Sequence, residues 1–235
     1  LRADARWSCA DGGRPYPPGM ADVDGTPDRY DRDGVEFGRS LAYMDATFAI
    51  ATTLLVTTLD PTAREWSNWS RFWDSEQGPL LAFALSFLVI SSFWWANHRM
   101  VSTLRALSPR FVLRSLVLLA FVALVPFTTE GLGEFTDASL QVSTVVYALN
   151  IAAVSLASTS LTVAAYRDGL FRRPPEPAVF RRRGISLLDT PLVFLASVPV
   201  ALFISGTAAR LMWLALILTG GVGAPGLLPT PGSAG

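Results

Sequence analysis

The chain has 235 residues, of which 51% are hydrophobic and 16% are charged, and its mean hydropathy is +0.38. Its 19 basic residues balance 19 acidic ones, so it lacks the positive charge that nucleic-acid binding usually requires, and no nucleic-acid partner is expected. One cysteine and one histidine exclude an internal disulfide framework and give no basis for a Cys/His metal cluster. The composition favours a polytopic membrane protein that needs no cofactor.

Residues 1–37 are rich in Gly, Pro, Asp and Arg and show no periodic apolar face, which predicts a disordered N-terminal tail. Met20 opens the more regular acidic part of this tail, and we interpret it as the natural start, with residues 1–19 as translated upstream sequence. The Gly/Pro-rich residues 224–235 predict a flexible C-terminal tail.

Long stretches with few or no charges predict membrane-spanning helices, which need about 20 mostly apolar residues. Six stretches qualify, namely residues 38–59, 80–97, 112–129, 140–166, 185–204 and 208–223. The predicted fold is therefore an all-α membrane protein with six transmembrane helices per subunit, formed by residues 38–223.

A tryptophan-rich segment separates the first two spans. Trp66, Trp69 and Trp73 are spaced by three and four residues, which places them on one face of a short helix. Indole rings favour the membrane interface, so this segment predicts an amphipathic helix on the outer surface. A loop packed on the protein is the alternative.

The arginines are concentrated in the connections that follow the second and fourth spans. Because positively charged connections stay in the cytoplasm, this distribution predicts cytoplasmic termini, an outer tryptophan-rich segment and a location in the cell membrane. The connection at residues 167–184 also has a position suited to anionic membrane lipids as partners.

The first span carries polar groups in a regular pattern. Ile50, Thr53, Leu54 and Thr57 fall on one face of a helix, whereas Asp45 points about 140° away from Ile50 and shares its direction with Thr52. This face is either the wall of an ion pathway or an ordinary packing surface whose threonines bond to their own backbone.

Asp45 lies deep enough in the first span to need a hydrogen-bond donor, because an unpaired charge in a membrane is costly. Candidate donors near the same membrane face are Arg39, Trp95, Asn97 and His98. The single histidine, His98, is either a structural hydrogen-bonding residue or a pH sensor.

No Ser/His/Asp arrangement, phosphate-binding loop or pair of carboxylates within a span is present, which argues against an enzyme. A secondary transporter that relays protons through Asp45 and His98 is one alternative, with Pro191 and Pro199 as weak signs of a broken helix. A non-conducting membrane scaffold is another.

Three ordered motifs between residues 38 and 135 resemble one family. The stretch from Arg39 to Asp45 is similar to the first-helix signature R-x-x-x-F-S-D of the endolysosomal potassium channel family and its bacterial homologues. The sequence Trp-Ala-Asn-His at residues 95–98 resembles the end of that family's second helix. Pro126-Phe127 and the Leu-Gly-Glu at residues 132–134 resemble its third-helix region.

This resemblance implies a potassium-selective or potassium-preferring cation channel in which one six-helix repeat per chain forms a homotetramer around a central pore. K⁺ is then the permeant ion. Ile50 and Leu54 would form a hydrophobic constriction on the first helix, and Thr53 would add a hydroxyl layer. The implied polar network between helices consists of Arg39, Tyr43, Asp45, Trp95, Asn97 and His98.

Two positions depart from the family pattern. Tyr43-Met44 replaces Phe-Ser, which removes a serine hydroxyl from the implied network. Thr57 stands one turn beyond Leu54, where an apolar residue is expected. We expect Thr57 to wet the outer part of the pore, with a looser gate or weaker ion discrimination as the result.

Overall fold

The computed structural model describes residues 29–59, 66–133, 137–186 and 188–218, and within these the side chains of 137–140, 182–186 and 217–218 are left aside. Most of both predicted tails and the proposed start Met20 lie outside the described residues. The helices are α1 Val35–Leu54, α2 Trp69–Ser102, α3 Pro109–Ala123, α4 Val125–Glu130, α5 Asp137–Arg167, α6 Pro177–Ser186, α7 Asp189–Phe203 and α8 Gly206–Leu218. Two short strands, β1 Tyr30–Asp31 and β2 Ala106–Leu107, and 3₁₀ turns at Leu55–Thr58 and Gly131–Gly133 complete the described elements.

Four helical segments are long and apolar enough to cross a membrane, which confirms a multi-pass membrane protein. They are Val35–Thr58, Trp69–Ser102, Pro109–Gly133 and Gln141–Arg167. The predicted fifth and sixth spans correspond to α7 and α8, which have 15 and 13 described residues. At 1.5 Å per residue, α7 is only about 22 Å long against a hydrocarbon core of about 30 Å, so six spanning helices stay a prediction.

The tryptophan-rich segment does not form the separate surface helix that its spacing predicted. Trp69 and Trp73 lie in the first turns of α2, which is capped by the Asn68 side chain and continues without a break through Pro79. Trp66 precedes the helix and stacks on Phe72, with ring centroids 4.7 Å apart. Pro79 lies inside this continuous helix, so the residues from Trp69 onward and the second predicted span form one element.

Helices α3 and α4 together form the predicted third span, with a break at Leu124. Ser108 caps α3 by accepting a hydrogen bond from the Phe111 backbone N–H at 3.1 Å, and Pro109 occupies the first turn. Pro126 similarly lies in the first turn of α4, where its missing N–H costs no helical hydrogen bond. The proline of the third-helix motif thus lies where α3 ends and the short helix α4 begins.

The core of the described part centres on α5, whose apolar stretch is 61% buried. Tyr147 on α5 packs against Trp213 on α8, which also stacks on Phe194 of α7, with centroid distances of 5.2 and 5.3 Å. The Trp213 Nε1–H donates to Ser197 Oγ at 2.8 Å, so this buried indole is satisfied. The two short helices α7 and α8 are thereby fixed to the longest buried helix.

Three chain segments meet at the arginine-rich end, which we define by the exposed Arg105, Arg110 and Arg167. β1 pairs antiparallel with β2, Leu104 bridges Phe171, and Ser108 Oγ donates to Asp168 Oδ2 at 2.7 Å. We call this arrangement of β1, β2 and residues 168–172 the clasp. It joins the segment before α1 to the connections after α2 and α5.

The clasp corrects the predicted extent of N-terminal disorder, because residues 29–37 are ordered. Arg32 donates from its backbone N–H to the Arg105 carbonyl at 3.0 Å. Its guanidinium donates to the carbonyls of Ser102 and Leu104 at 3.2 and 2.9 Å. Polar composition predicted disorder here, but these arginine contacts to open backbone carbonyls, together with the burial of Phe37, hold the segment in place.

The 3₁₀ turn at Gly131–Gly133 packs so closely on α5 that a side chain would not fit. A Cβ at Gly131 would lie 2.7 Å from Ser143 Cβ, so we expect Gly131→Ala to destabilise the protein by about 1–3 kcal/mol through overpacking. Gly38→Ala is the matched control, because its Cβ would meet nothing within 4 Å and should stabilise α1 by up to about 1 kcal/mol. Thermal unfolding in detergent, followed by tryptophan fluorescence, measures both, and an unchanged midpoint for Gly131→Ala would contradict the close packing.

Candidate functional site

Helix α1 has two faces with different surroundings. One face is buried in the subunit and is entirely apolar, with Phe37, Met44, Phe48, Ala51 and Leu55 each at most 5% exposed. Met44, which replaces the serine of the family pattern, therefore fills the core and takes no part in a polar contact surface. This apolar face is what attaches α1 to the rest of the bundle.

The opposite face of α1 carries the stripe predicted from the sequence. Ile50 is 58% exposed and Leu54 is 45% exposed, and Thr53 and Thr57 are exposed beside them. We call these four residues the exposed stripe. Only 22% of the apolar stretch of this helix is buried within the subunit, the smallest share among the four long helices. An apolar helix this open must be covered by something outside the subunit.

The end of the exposed stripe does not follow the regular helix that the 3.6-residue spacing assumed. After Leu54 the chain tightens into the 3₁₀ turn Leu55–Thr58. Residues three apart eclipse one another in a 3₁₀ helix, whereas a continued α-helix would rotate Thr57 by about 60° from Leu54. The turn therefore aligns Thr57 with Leu54 along the helix axis.

Both threonines of the exposed stripe use their hydroxyl protons within the helix. Thr53 Oγ1 donates to the Ile50 carbonyl at 2.9 Å, and Thr57 Oγ1 donates to the Leu54 carbonyl at 2.7 Å. A hydroxyl has one proton and two lone pairs, so each oxygen is left as an acceptor. The exposed stripe thus alternates aliphatic side chains with oxygens suited to a cation.

Asp45 has a donor, but it is not one of the four that the sequence suggested. The Trp94 Nε1–H donates to Asp45 Oδ1 at 3.0 Å and links α1 to α2. Trp94 precedes the expected Trp95 by one residue, which turns its ring by about 100° round α2. The sequence could not identify it, because the rotation of α2 against α1 depends on tertiary packing.

The Asp45–Trp94 pair lines a groove of about 500 Å³ between α1 and α2. Its other lining residues are Phe48, Ala49, Thr52, Thr53 and Ser91. Asp45 and Thr52 therefore lie together, as their seven-residue spacing predicted. The groove runs beside the exposed stripe and shares Thr53 with it, so the two surfaces are continuous.

The other members of the implied polar network are only partly brought together. His98 stacks on Trp94 and Trp95, with ring centroids at 5.4 and 6.1 Å. Asn97 is 4% exposed, and its Oδ1 has no hydrogen-bond partner among the described residues.

The two α1 members of that network do not reach another helix in the described part of the chain. Arg39 pairs with Glu36 on its own helix at 3.2 Å, and both side chains are largely exposed. Tyr43 is 59% exposed. Both residues are therefore available to groups beyond the subunit.

No group of three or more His, Cys, Asp or Glu residues that could hold a metal ion occurs in the described ranges. The chemistry of the site rests instead on hydroxyl oxygens, aliphatic side chains and one carboxylate on an open helix face. The fold and this site define a polytopic α-helical membrane protein whose first helix presents a semi-polar surface for an assembly or a pathway.

Comparison with known proteins shows which family the chain resembles. The family model for the endosomal/lysosomal potassium channel TMEM175 matches residues 39–126, which is less than half of the chain. The matched residues include the exposed stripe, the groove and the third-helix proline.

Two bacterial proteins show the same similarity. The chain is 32% identical over 133 residues to a potassium channel of Streptomyces collinus, covering 54% of this chain and 63% of the relative. It is 27% identical over 124 residues to a potassium channel of a Chryseobacterium species, covering 53% and 62%. The matched part thus spans less than two thirds of each of these relatives.

Solved structures support the same fold. A lysosomal potassium-selective channel TMEM175 homologue from Chamaesiphon minutus superposes with a TM-score of 0.66 and 27% identity, covering 78% of this chain and 95% of that one. A variant of the potassium channel MtTMEM175, bound to a nanobody fusion, gives a TM-score of 0.57 at 18% identity, covering 85% and 97%. The second likeness concerns the fold alone.

The hydrogen bond between Trp94 and Asp45 can be tested with a matched pair of truncations. Trp94→Phe removes the indole N–H and should lower the free energy of unfolding by about 1 kcal/mol, the order of one hydrogen bond on an open surface. Trp95→Phe is the same truncation on the neighbouring residue, whose indole makes only the ring contact with His98 and Trp94 in the described part. Chemical unfolding in detergent should show a loss for the first variant that exceeds the second, and equal losses would contradict the assigned donor.

Proposed function

We propose that this protein is a potassium-selective cation channel, assembled from four identical subunits around an axis lined by α1. The observation that carries the proposal is the exposed stripe. Helix α1 is apolar, carries hydroxyl oxygens at regular levels and is little buried within its own subunit. It therefore needs a partner surface outside its own bundle. The similarity of the chain to the TMEM175 family model and to bacterial potassium channels supports the choice of ion.

A four-fold arrangement turns the exposed stripe into stacked rings. Four copies of Ile50 and of Leu54 would form narrow apolar constrictions, which close by dewetting when no ion is present. Four copies of Thr53 would place acceptor oxygens between those constrictions. A cation that passes sheds part of its hydration shell, which favours K⁺ over the more tightly hydrated Na⁺.

The remaining surfaces of α1 fit this assembly. The apolar face with Phe48 and Leu55 holds the helix to its own subunit, while the groove beside Asp45 flanks the axis and is open to a neighbouring subunit. By the distribution of arginines, the arginine-rich end faces the cytoplasm, both termini are cytoplasmic and the protein resides in the cell membrane. The six-helix subunit and its homotetramer belong to the same proposal.

The described geometry gives no support to a proton-coupled transporter. That alternative needs a relay between Asp45 and His98, but the Trp94 ring stands between them, bonded to the carboxylate and stacked on the imidazole. An indole N–H is too weak an acid to pass on a proton, so the described contacts favour the channel over the transporter.

The proposed function is tested by the reversal potential of the purified protein in planar bilayers under a gradient of K⁺ against Na⁺. We expect a shift toward the potassium equilibrium potential. Ile50→Asn should raise the conductance and reduce selectivity, because the amide hydrates the constriction. Leu113→Asn is the control, since Leu113 is 65% exposed but lies on α3 and not on the helix proposed to line the axis. Unchanged currents in Ile50→Asn would contradict the assignment of Ile50 to the pore.

Native mass spectrometry of the detergent-solubilised protein tests the assembly, and we expect four copies of the chain. Asp45→Ala should reduce the tetramer fraction more than it changes selectivity, because Asp45 lies in the flanking groove and not on the exposed stripe. Asp74→Ala is the matched control, since Asp74 is an exposed carboxylate on α2 that does not line the groove. A fully tetrameric Asp45→Ala variant with altered selectivity would contradict this assignment.

A further inference from the structure

Thr57 has features that its replacement of an apolar residue did not predict. On sequence grounds it should merely wet the pore and loosen the gate. The structure instead holds it in a 3₁₀ turn, in line with Leu54, with its hydroxyl proton donated to the Leu54 carbonyl at 2.7 Å. A hydroxyl fixed in this way does not rotate like a water molecule, and it presents only lone pairs to its exposed side.

We propose that Thr57 forms an outer binding subsite for a partly dehydrated monovalent cation. The inference rests on the proposed function, because the subsite is complete only when four subunits place their Thr57 oxygens around one axis. These oxygens replace part of the hydration shell of the cation before it meets the Leu54 constriction. Thr57 thus strengthens the selection of the ion.

The position of Thr57 in the stripe supports this role. It lies four residues beyond Thr53, which corresponds to about 7–8 Å along the axis because three of these steps have the larger rise of the 3₁₀ turn, and Leu54 separates the two oxygen levels. An ion that arrives from the end opposite the arginine-rich end meets Thr57 first. Dehydration is then divided between two oxygen levels, with the Leu54 ring between them and the Ile50 ring beyond Thr53.

The neighbouring residue provides an internal comparison. Thr58 lies in the same 3₁₀ turn and makes the same type of bond, donating to the Leu55 carbonyl at 2.8 Å. It is half-buried, however, and the eclipsed geometry aligns it with Leu55, which is fully buried. The two adjacent threonines therefore share their local chemistry and differ in the direction that they face.

The experiment compares Thr57→Val with Thr58→Val in planar bilayers, with K⁺ varied on the side opposite the arginine-rich end. Thr57→Val should raise the K⁺ concentration for half-maximal inward current by about three- to tenfold, the change expected when one modest polar interaction is lost. It should also move the K⁺/Na⁺ reversal potential toward zero. Thr57→Ser keeps the hydroxyl and should restore both values, and Thr58→Val should match the unmodified protein.

Unchanged half-saturation in Thr57→Val, or an equal change in Thr58→Val, would overturn the subsite while leaving a conducting, selective channel. Absence of potassium current from the unmodified tetramer would instead overturn the proposed function and this inference together, so the two failures are distinguishable. Should Thr57→Val not assemble, Thr57→Ala removes the hydroxyl without adding bulk and decides the same question.

Discussion

A helix in a bilayer must satisfy its own backbone, because the hydrocarbon offers no partner for an open N–H or carbonyl. All chemistry of α1 is therefore left to its side chains and to their direction round the helix. The apolar face with Phe48 and Leu55 uses one half of that circumference for attachment. The other half carries Thr53 and Thr57. Their hydroxyls donate to backbone carbonyls of the same helix and keep their lone pairs as acceptors. This division of one helix determines how the remaining elements are arranged.

The bundle behind α1 serves mainly to hold that division in place. The buried α5, with Tyr147 packed on Trp213, fixes the short helices, and the break between α3 and α4 turns the chain back toward α2. A buried chain of hydroxyls strengthens this region, in which Ser86 Oγ lies 3.2 Å from the Tyr147 hydroxyl and 2.8 Å from Thr129 Oγ1. Such satisfied polar contacts between packed helices favour one arrangement over its alternatives.

Periodicity and hydropathy were sufficient to predict the features that depend on a single helix. The stripe from Ile50 to Thr57, the four long apolar helices and the shared direction of Asp45 and Thr52 could all be predicted in this way. Features that need a second segment could not. Trp94 became the donor to Asp45 through the rotation of α2 against α1, and Arg32 ordered its surroundings through carbonyls contributed by another loop. The 3₁₀ turn likewise has no signal in the residue pattern of 55–58.

The clasp has a mechanical consequence for α1. Only the short segment 32–34 separates β1 from the start of the helix, and Arg32 within it bonds to the connection after α2. The N-terminal end of α1 is thus joined by a short segment to the connections after α2 and α5. Its C-terminal end finishes in the 3₁₀ turn before residue 59. Because Leu55 in that turn is fully buried, both ends of α1 are anchored, and a displacement of the clasp would be transmitted along the helix to the level of Thr57.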